Sequence, residues 1–349
     1  MTTHDLTIVG AGAFGLAIAW ECLRRGARVN IVDPNPIGAG ASGGIVGALS
    51  PHTPDEWNIK KAFQLRGLVK QHQFWQDVET ASGLPSGFRH CGRVVPLADD
   101  RQVTLALGRI EAAAIQWPDP EYWEVRDEDF VDGWGAMVPK GKVQFDSLSS
   151  ILHPRKSLHA LHAAVQSLGG SFLATVPENS APVIWATGWQ GLGELTKVLG
   201  KPIGGGEKGQ AALIDLNCSH LPQLFAQGVH FIPHADGTVA IGSTTERDWN
   251  DLYTDGQLTD LIAKATTLVP MLKGRKVLER WAGVRPKSAR RTPLLGRHPT
   301  RQDHFVANGG YKIGLGLLPV VAETMADLVL DGKDAIPEKF TPTWLLNNA

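Results

Sequence analysis

A glycine-rich stretch near the start of the chain carries the clearest chemical signal in the sequence. Residues 10–15 read Gly10-Ala11-Gly12-Ala13-Phe14-Gly15, and an acidic residue, Asp33, follows 18 positions after the last glycine. Glycines at this spacing permit a tight turn, a close approach of backbone to a pyrophosphate, and close packing of a helix on a strand. Asp33 is placed to accept hydrogen bonds from ribose hydroxyls and would repel a 2′-phosphate. The pattern predicts an adenine dinucleotide, FAD or NAD rather than NADP.

The elements around this stretch are those that a dinucleotide-binding turn requires. We predict a strand over residues 6–9, a helix over 14–25, and a second strand over 28–32 that ends at Asp33 and Pro34. The helix N-terminus would present free N–H groups and the positive end of its dipole to the phosphates. This context is far more specific than the glycine spacing alone.

Helices and short buried strands alternate near both ends of the chain, whereas its middle is richer in hairpin signals. Periodicity predicts a strand over 183–186 and helices over 59–78, 103–114, 157–168, 258–269 and 320–330. Residues 229–245 alternate around Asp236-Gly237, a dipeptide typical of tight hairpin turns. We expect the tail after Gly332 to be a loose cap.

This arrangement predicts an α/β protein in which a nucleotide-binding domain is interleaved with a more antiparallel α+β domain. We assign residues 1–75, 150–210 and 280–349 to the nucleotide-binding domain. Residues 76–149 and 211–279 are assigned to a substrate-binding domain.

Bulk composition argues against several classes of protein. The net charge of −1 provides no global basic field for nucleic acid. No run of about 18 apolar residues or signal peptide is present, so we expect no membrane span. Three widely spaced cysteines fit neither a disulfide framework nor a zinc site and are typical of a reducing cytoplasm, where we expect the protein. A homo-oligomer stays open.

Segments beyond residue 33 add a more specific pattern. They are the small-residue loop 38–51, the Ala-Thr-Gly end of 183–188, a Lys-Gly-Gln turn at 208–210, the hairpin 231–244, Trp-Ala-Gly-Val-Arg-Pro at 281–286 with Pro-Leu-Leu-Gly at 293–296, and the glycine-rich turn 309–316. In this order they resemble the D-amino-acid oxidase, glycine oxidase and sarcosine oxidase family of flavoenzymes. The resemblance covers essentially the whole chain.

The resemblance implies a GR2-type flavoprotein whose nucleotide-binding domain holds FAD. The bond to FAD would be non-covalent, because residues 287–290 contain no cysteine where covalent members carry one. The cofactor-binding residues that we predict are Gly10, Ala11, Gly12, Ala13, Phe14, Gly15, Asp33, Pro34, Ala41, Ser42, Gly47, Ala48, Leu49, Val176, Ala186, Thr187, Gly188, Arg285, Gly310, Tyr311, Lys312, Ile313 and Gly314.

Two positions depart from the family pattern. Only residues 171–182 separate a predicted helix from the strand at 183, so the usual β-meander that would support Val176 is almost absent. Ala240 stands where sarcosine oxidase-like members place a lysine over the flavin. The sequence is therefore compatible with either oxygen or another compound as the acceptor of electrons from the reduced flavin.

The resemblance implies oxidation of the C–N bond of a small amine or amino acid by hydride transfer to flavin N5. Such chemistry depends on positioning and electrostatics rather than on a catalytic triad. Lys312 and Arg285 are the candidate carboxylate-binding cations, and His230 falls where glycine oxidase-like members have a substrate-contacting tyrosine. His52 and Trp57 follow the small-residue loop and are further candidates for the substrate side.

Four alternatives stay open on the sequence. The first is a dehydrogenase of the same fold that passes electrons to a quinone or carrier, and the second is an accessory flavoprotein subunit that needs a partner. The third is an NAD-binding protein, which would be colourless. The fourth is the flavin domain of a tRNA wobble-uridine modifying enzyme. Two features argue against it: the sequence has no methyltransferase half and no strong excess of basic residues.

Overall fold

The computed structural model describes residues 5–131, 133–178 and 182–348. Within these residues the strands, in chain order, are β1 (Asp5–Val9), β2 (Arg28–Val32), β3 (Ala48–Leu49), β4 (Arg89–His90), β5 (Arg93–Pro96), β6 (Trp123–Asp127), β7 (Lys142–Asp146), β8 (Ser150–Ile151), β9 (Ser171–Leu173), β10 (Val183–Trp185), β11 (Gly204–Asp215), β12 (Gln223–Ala226), β13 (Val229–Pro233), β14 (Thr238–Gly242), β15 (Val277–Ser288), β16 (Leu294–Arg297) and β17 (His304–Asn308). The α-helices are α1 (Ala13–Arg24), α2 (Ile59–Val69), α3 (Gln71–Ser82), α4 (Asp100–Gln116), α5 (Pro154–Ser167), α6 (Gly188–Leu199), α7 (Gly256–Leu268), α8 (Leu318–Asp331) and α9 (Pro342–Asn347).

A six-stranded sheet forms one half of the molecule. Its order is β16-β17-β10-β1-β2-β9, and all neighbours pair in parallel except β16 with β17. Strand β1 is short and rich in β-branched residues, and its Leu6 and Ile8 are fully buried. The apolar face of α1 covers this sheet together with α5 and α8, in one core that contains Leu16, Ile18 and Val320. The carboxyl ends of β1, β10 and β2 therefore open at one edge.

An eight-stranded sheet forms the other half, in the order β15-β11-β14-β13-β12-β5-β7-β6. The long strands β11 and β15 pair antiparallel from Gly204 opposite Ser288 to Ile214 opposite Val277. The hairpin of β13 and β14 turns at Gly237, whose φ of 83° lies in the region that favours glycine. A separate core that includes Phe231, Val239 and Ile241 lies under this sheet.

The α/β class with an antiparallel second sheet is confirmed. All strands of the six-stranded sheet fall inside the segments assigned to the nucleotide-binding domain, whereas β11 and β15 run across the assigned limits at residues 210 and 280. The division of the chain into two domains stays a prediction. No helix in the described part of the chain is long and apolar enough to cross a bilayer. The three cysteines are free thiols, and burial raises the pKa of Cys22 to about 12.

Three local predictions are wrong. The segment 59–78 is broken at Lys70 into α2 and α3, which periodicity alone does not reveal. The Lys-Gly-Gln segment lies inside β11 and not in a turn. The tail is also not loose, because Phe340 is 1% exposed and packs edge-on against Phe63 with ring centroids 5.2 Å apart.

Candidate functional site

A cleft of about 670 Å³ lies between the carboxyl ends of the parallel strands and the β11–β15 pair. Its volume is within the range of about 300–1,000 Å³ that is typical of cofactor and ligand pockets. The two sheets contribute opposite ends of its lining, from Gly10 and Asp33 on the nucleotide side to His230 and Arg285 on the other. Ligands of open α/β sheets bind at this edge, outside the carboxyl ends of the strands.

Two positions in the glycine-rich turn, residues 10–15, must be glycine, because a Cβ atom there would collide with neighbouring backbone atoms. Gly10 has a φ of 112°, and a Cβ there would lie 2.4 Å from the carbonyl oxygen of Ala186. A Cβ at Gly15 would lie 1.9 Å from the carbonyl oxygen of Gly10. Gly12, the N-cap of α1, has no side chain, and the N–H of Ala13 donates to Ser42 Oγ. The N–H groups that follow Ala13 in the first turn of the helix can face an anion in the cleft.

The side chains of Asp33 and Ser42 both accept hydrogen bonds from backbone N–H groups of the glycine-rich segment. Asp33 Oδ2 accepts from the N–H of Ala11 at 2.8 Å, and its Oδ1 accepts from the N–H of Asn35 at 2.9 Å. Ser42 Oγ accepts from the N–H of Ala13 at 3.0 Å. The carboxylate is thus oriented before a ribose arrives, which reduces the entropy cost of binding.

The glycine-rich turn at residues 309–314 closes the cleft from the C-terminal side. A Cβ at Gly310 would lie 3.0 Å from the Phe14 ring, so the turn packs directly on the phosphate-binding segment. The N–H of Tyr311 donates to the carbonyl of Pro286 at 3.0 Å, which joins the turn to β15. This turn therefore connects the glycine-rich segment at residues 10–15 with β15.

Most of the predicted cofactor residues line the cleft. They are Gly10, Ala11, Gly12, Ala13, Phe14, Asp33, Pro34, Ala41, Ser42, Ala48, Ala186, Thr187, Gly188, Arg285, Gly310, Tyr311, Lys312 and Gly314. Gly15, Gly47, Leu49 and Ile313 lie behind this lining. A Cβ at Gly47 would lie 1.9 Å from the Leu152 carbonyl oxygen, so this glycine is required for packing. Val176 lies outside the cleft, because it follows the short edge strand β9 and is 39% exposed.

Arg285 projects from β15 into the cleft and has only neutral partners. Its guanidinium donates to the carbonyls of Lys208 at 3.2 Å and Thr244 at 3.1 Å, and to Ser243 Oγ. Burial lowers the pKa of Arg285, and the carboxylates of Glu207 and Glu246 oppose this shift from a distance. Arginine nevertheless stays protonated in proteins, so a half-buried positive charge faces the cleft.

Gly209 makes the position of Arg285 possible. Arg285 stands opposite Glu207 in the β11–β15 register, and Gly209 is the next residue of β11 on the same face. A Cβ at Gly209 would lie 2.0 Å from the guanidinium. The sequence contained Gly209 in its Lys-Gly-Gln segment, but placing that segment in a turn concealed this role.

Glu207, opposite Arg285 in the β11–β15 pair, binds the side chains of Lys287 and Tyr311. Lys287 Nζ lies 2.6 Å from the Glu207 carboxylate, which also accepts from the Tyr311 hydroxyl. Burial and this hydrogen bond raise the pKa of Tyr311 to about 12, so the phenol stays protonated. Lys312 Nζ donates to Thr245 Oγ1 at 3.0 Å, and burial followed by the charge of Arg285 lowers the pKa of Lys312.

His230 also lines the cleft, and its neighbours determine which nitrogen carries the proton. Ser50 Oγ donates to Gln223 Oε1 at 3.0 Å, which leaves Gln223 Nε2 to donate to His230 Nδ1 at 2.9 Å. Burial, with Arg93, Lys312 and Arg285, lowers the pKa of His230 to about 3. The ring is therefore neutral with its proton on Nε2, a donor rather than a base. Ser50 belongs to the small-residue loop 38–51 but was not predicted as a site residue, and no sequence motif pointed to Gln223.

The two remaining candidates do not line the cleft. The Nδ1–H of His52 donates to the side-chain oxygen of Gln64, to which the backbone N–H of His52 also donates at 2.9 Å. Trp57 packs against the main core. Both residues follow the cofactor loop in sequence, but the chain has already turned towards α2.

Comparisons with known proteins agree with this geometry. The family model described as DAO, FAD dependent oxidoreductase, matches residues 5–328. Glycine oxidase of Bacillus licheniformis is 23% identical, over 94% of this chain and 93% of its own length. The solved structure of glycine oxidase from Geobacillus kaustophilus has a TM-score of 0.84 at 21% identity, over 97% of this chain and 98% of that one. Iminodiacetate oxidase from Chelativorans sp. BNC1 has a TM-score of 0.84 at 19% identity, over 97% and 98%.

The residues present fit FAD. The phosphate turn has two positions where a Cβ would strike backbone, and the aligned N–H groups and the fixed acid match a pyrophosphate and a ribose. The cleft continues from them to Arg285 and His230, leaving room for a ring system and a small ligand. Among the described residues no cluster of His, Cys, Asp or Glu is arranged to hold a metal ion.

Proposed function

Because the chain belongs to the DAO family of FAD-dependent oxidoreductases, we propose that it oxidises the C–N bond of a small amino acid or secondary amine whose carboxylate is bound by Arg285. The observation that carries the proposal is the half-buried guanidinium in the cleft with only neutral protein partners. A buried charge of this kind is costly without an anionic partner, and a carboxylate matches the planar fork of arginine.

FAD would supply the acceptor for the hydride, which carries the two electrons that leave the substrate carbon. Residues 10–15, Asp33, Ser42 and the turn 309–314 would hold it, without a covalent bond, since none of the three cysteines lines the cleft. The glycines allow the backbone to come close, and the N-terminus of α1 offsets the phosphate charge.

The protein's own contribution is to orient the substrate and to set its charge state. Arg285 would hold the carboxylate, and the Nε2–H of His230 would donate to an oxygen of the same substrate. The positive charges of Arg285 and Lys312 disfavour a bound ammonium group, so the substrate nitrogen binds more readily as the neutral amine. A neutral nitrogen lone pair is what removal of hydride from the adjacent carbon requires. The products are an imine and reduced cofactor.

The electron acceptor after this half-reaction is a separate question. Ala240 is fully buried in a small apolar cluster with Ile45, Ile151, Ala211 and Ile232, so no cation stands at this hairpin position. This observation favours a second candidate, a dehydrogenase that passes electrons to a quinone or carrier protein instead of oxygen.

A substrate screen tests the proposal. Glycine, sarcosine, D-amino acids, proline and N-methyl amines would be supplied to the FAD-loaded enzyme, with oxygen and an artificial acceptor in parallel. We expect turnover of at least one amine that carries a carboxylate, and a large loss in Arg285→Met. Turnover of amines without a carboxylate at equal efficiency in both proteins would contradict the role given to Arg285.

A further inference from the structure

The loop that follows β14 carries hydrogen-bond acceptors for both cations that face the cleft. Ser243 Oγ and the carbonyl of Thr244 accept from Arg285, and Thr245 Oγ1 accepts from Lys312 at 3.0 Å. The conformation of this loop therefore determines where the two positive charges stand. The side chains that fix the loop are not among those that line the cleft.

The loop is a bulge in the pairing of β14 with β11. Gly242 pairs with Ala211, and the next pair along the ladder is Glu246 with Lys208. Two residues of β11 lie between these paired positions, whereas the loop has three, residues 243–245. Bulges of this kind leave one residue unpaired and change the direction of side chains next to active sites. The bulge thus explains how three consecutive residues reach the two cations.

A buried ion pair lies at the far end of the bulge. Lys208 is 3% exposed and Glu246 is 6% exposed, and Lys208 Nζ lies 3.6 Å from Glu246 Oε2. The desolvation of two buried charges can exceed the attraction between them, so such a pair is weak evidence for stability. We therefore expect the pair to specify the conformation of the loop more than to stabilise the fold.

The second oxygen of Glu246 organises the bulge itself. Glu246 Oε1 accepts from Gln210 Nε2 at 3.0 Å and from the hydroxyl of Thr244, which in turn accepts from the N–H of Gln210 at 2.8 Å. Gln210 is fully buried, and its side-chain amide also exchanges two hydrogen bonds with Asp255, of 2.8 and 2.9 Å, where α7 begins. The start and the end of the segment between β14 and α7 are thus bound to one side chain of β11.

We propose that Lys208 and Glu246 are positioning residues, whose ion pair fixes the bulge so that Arg285 is held where it receives the substrate carboxylate. This inference rests on the proposed function for the identity of the ligand. Loss of the pair frees Thr244, whose carbonyl is one of the three acceptors of Arg285. The guanidinium then loses the fixed orientation that two parallel hydrogen bonds to a carboxylate require.

Glu246→Gln tests the pair, because it keeps the shape of the side chain and removes its charge. We expect the KM for a carboxylate-bearing amine to rise about tenfold and kcat to stay within about twofold, since the carboxylate is bound alike before and during the reaction. The corresponding amine without a carboxylate should keep its KM, and Lys208→Arg, which retains the ion pair, should keep the native values. An equal loss for both amines would mean that the pair serves only the fold and would overturn the proposal.

A double variant separates positioning from stability and also applies if Glu246→Gln does not fold. Lys208→Met combined with Glu246→Leu leaves no unpaired buried charge, so its melting temperature should be close to that of the native protein. The hydroxyl of Thr244 then has no carboxylate to bind, and the KM should stay about tenfold above the native value. A native KM in this double variant would overturn the proposal.

Asp251→Asn is the matched control. Asp251 lies 3.2 Å from Lys208 Nζ, but its side chain is 48% exposed, and in the described part of the chain it contacts neither Arg285 nor Lys312. The variant removes the same charge beside Lys208, and the KM should stay within about twofold because an exposed pair is screened by solvent. An increase equal to that in Glu246→Gln would show that the charge at Lys208 matters and not the bulge, which would overturn the proposal.

Two measurements need no turnover. Acetate and propionate would be titrated against the FAD-loaded protein, with the absorbance spectrum of the flavin as the readout, and their Kd should rise about tenfold in Glu246→Gln. The N–H groups of Thr244 and Glu246, which donate to carbonyls of β11, should exchange with deuterium about tenfold faster or more in this variant. Unchanged exchange would overturn the positioning role. If no amine reduces the enzyme and no acid binds, the proposed function fails, while the exchange rates still decide the role of the pair.

Discussion

Arg285 reaches the cleft across a residue that has no side chain. Its guanidinium lies where a Cβ of residue 209 would be, at 2.0 Å, and its three hydrogen-bond acceptors fix it there. A substitution at Gly209 therefore displaces the cation without removing its charge. Such a substitution tests whether the guanidinium must stand at this position, whereas a substitution of Arg285 removes the charge altogether.

We predict that Gly209→Ala raises the KM for a carboxylate-bearing amine roughly 30-fold, equivalent to about 2 kcal/mol. Gly205→Ala is the matched control, since Gly205 lies in the same strand and has nothing within 4 Å of its would-be Cβ. Steady-state kinetics of both variants provide the measurement. Equal KM values in the two variants would show that the guanidinium does not contact the substrate.

Two histidines that stay neutral in the folded protein should make its stability depend on pH. Burial lowers the pKa of His230 to about 3 and that of His234 to about 4, against 6.5 for the ordinary group. Between these values the unfolded chain binds more protons than the folded one, so stability falls as pH decreases.

We predict a decrease in melting temperature from about pH 7 to about pH 5, and a smaller decrease in His234→Gln. His220→Gln is the comparison, because His220 is exposed. Thermal unfolding followed by circular dichroism is the measurement. Identical pH slopes for the native protein and His234→Gln would contradict the neutral buried state of this ring.

Among single residues, the sequence predicted those that belong to short motifs and missed those that only tertiary contacts bring to the cleft. Gly10, Asp33 and Arg285 belong to patterns with fixed spacing. Ser50 and Gln223 orient His230 from positions 173 residues apart, and no local signal relates them. His52 was close to the cofactor loop in sequence, but its ring turns to Gln64.

Among the elements, the strand–turn–helix of β1 and α1 has the tightest steric requirement. The carbonyl of Gly10 lies within 1.9 Å of a would-be Cβ at Gly15, so any side chain there forces α1 away from the turn. The N–H groups at the start of α1, to which we assign the cofactor phosphates, would move with the helix. We therefore expect a side chain at position 15 to reduce the affinity for the cofactor more than it reduces the stability of the fold.

We predict that Gly15→Ala weakens FAD binding about tenfold or more, from the cost of overpacking. Gly193→Ala in α6 is the control, since its would-be Cβ has nothing within 4 Å and alanine favours the helix. Fluorescence titration of the FAD-free protein measures both. Native affinity in Gly15→Ala would contradict the assigned cradle.

Elements with strong local patterns could be predicted, whereas those made by distant contacts could not. The helix α8 and the β13–β14 hairpin follow from apolar periodicity and from Asp236-Gly237. The C-terminal segment has no such pattern, and its order comes from Phe340, which fills a site against Phe63. The long antiparallel pair of β11 and β15 runs through the assigned domain limits at residues 210 and 280.

We predict that Phe340→Ala lowers the free energy of unfolding by about 3 kcal/mol or more, the usual cost of removing a buried phenylalanine. The exposed Thr343 provides the comparison, and Thr343→Ala should change stability by less than about 0.5 kcal/mol. Urea unfolding of both proteins is the measurement. Equal stability of the two variants would mean that the tail is the loose cap expected from its sequence.

For the whole molecule, the cleft is formed only when both sheets are in place. One edge of the cleft comes from the six-stranded sheet, and the other comes from the β11–β15 pair and strand β13. A ligand that spans the cleft therefore contacts both halves and stabilises their joint folding by mass action. At a free concentration of about 100 times its Kd, this linkage amounts to about 2.7 kcal/mol.

The most direct test is anaerobic reduction of bound FAD, followed by its absorbance, in native protein and Arg285→Met. The purified native protein should carry flavin, and an amino acid should bleach it far faster than the corresponding amine without a carboxylate. In Arg285→Met flavin should still be bound, but the advantage of the carboxylate should disappear. A colourless protein that takes up no FAD, or one in which Arg285→Met keeps the full preference, would contradict the account.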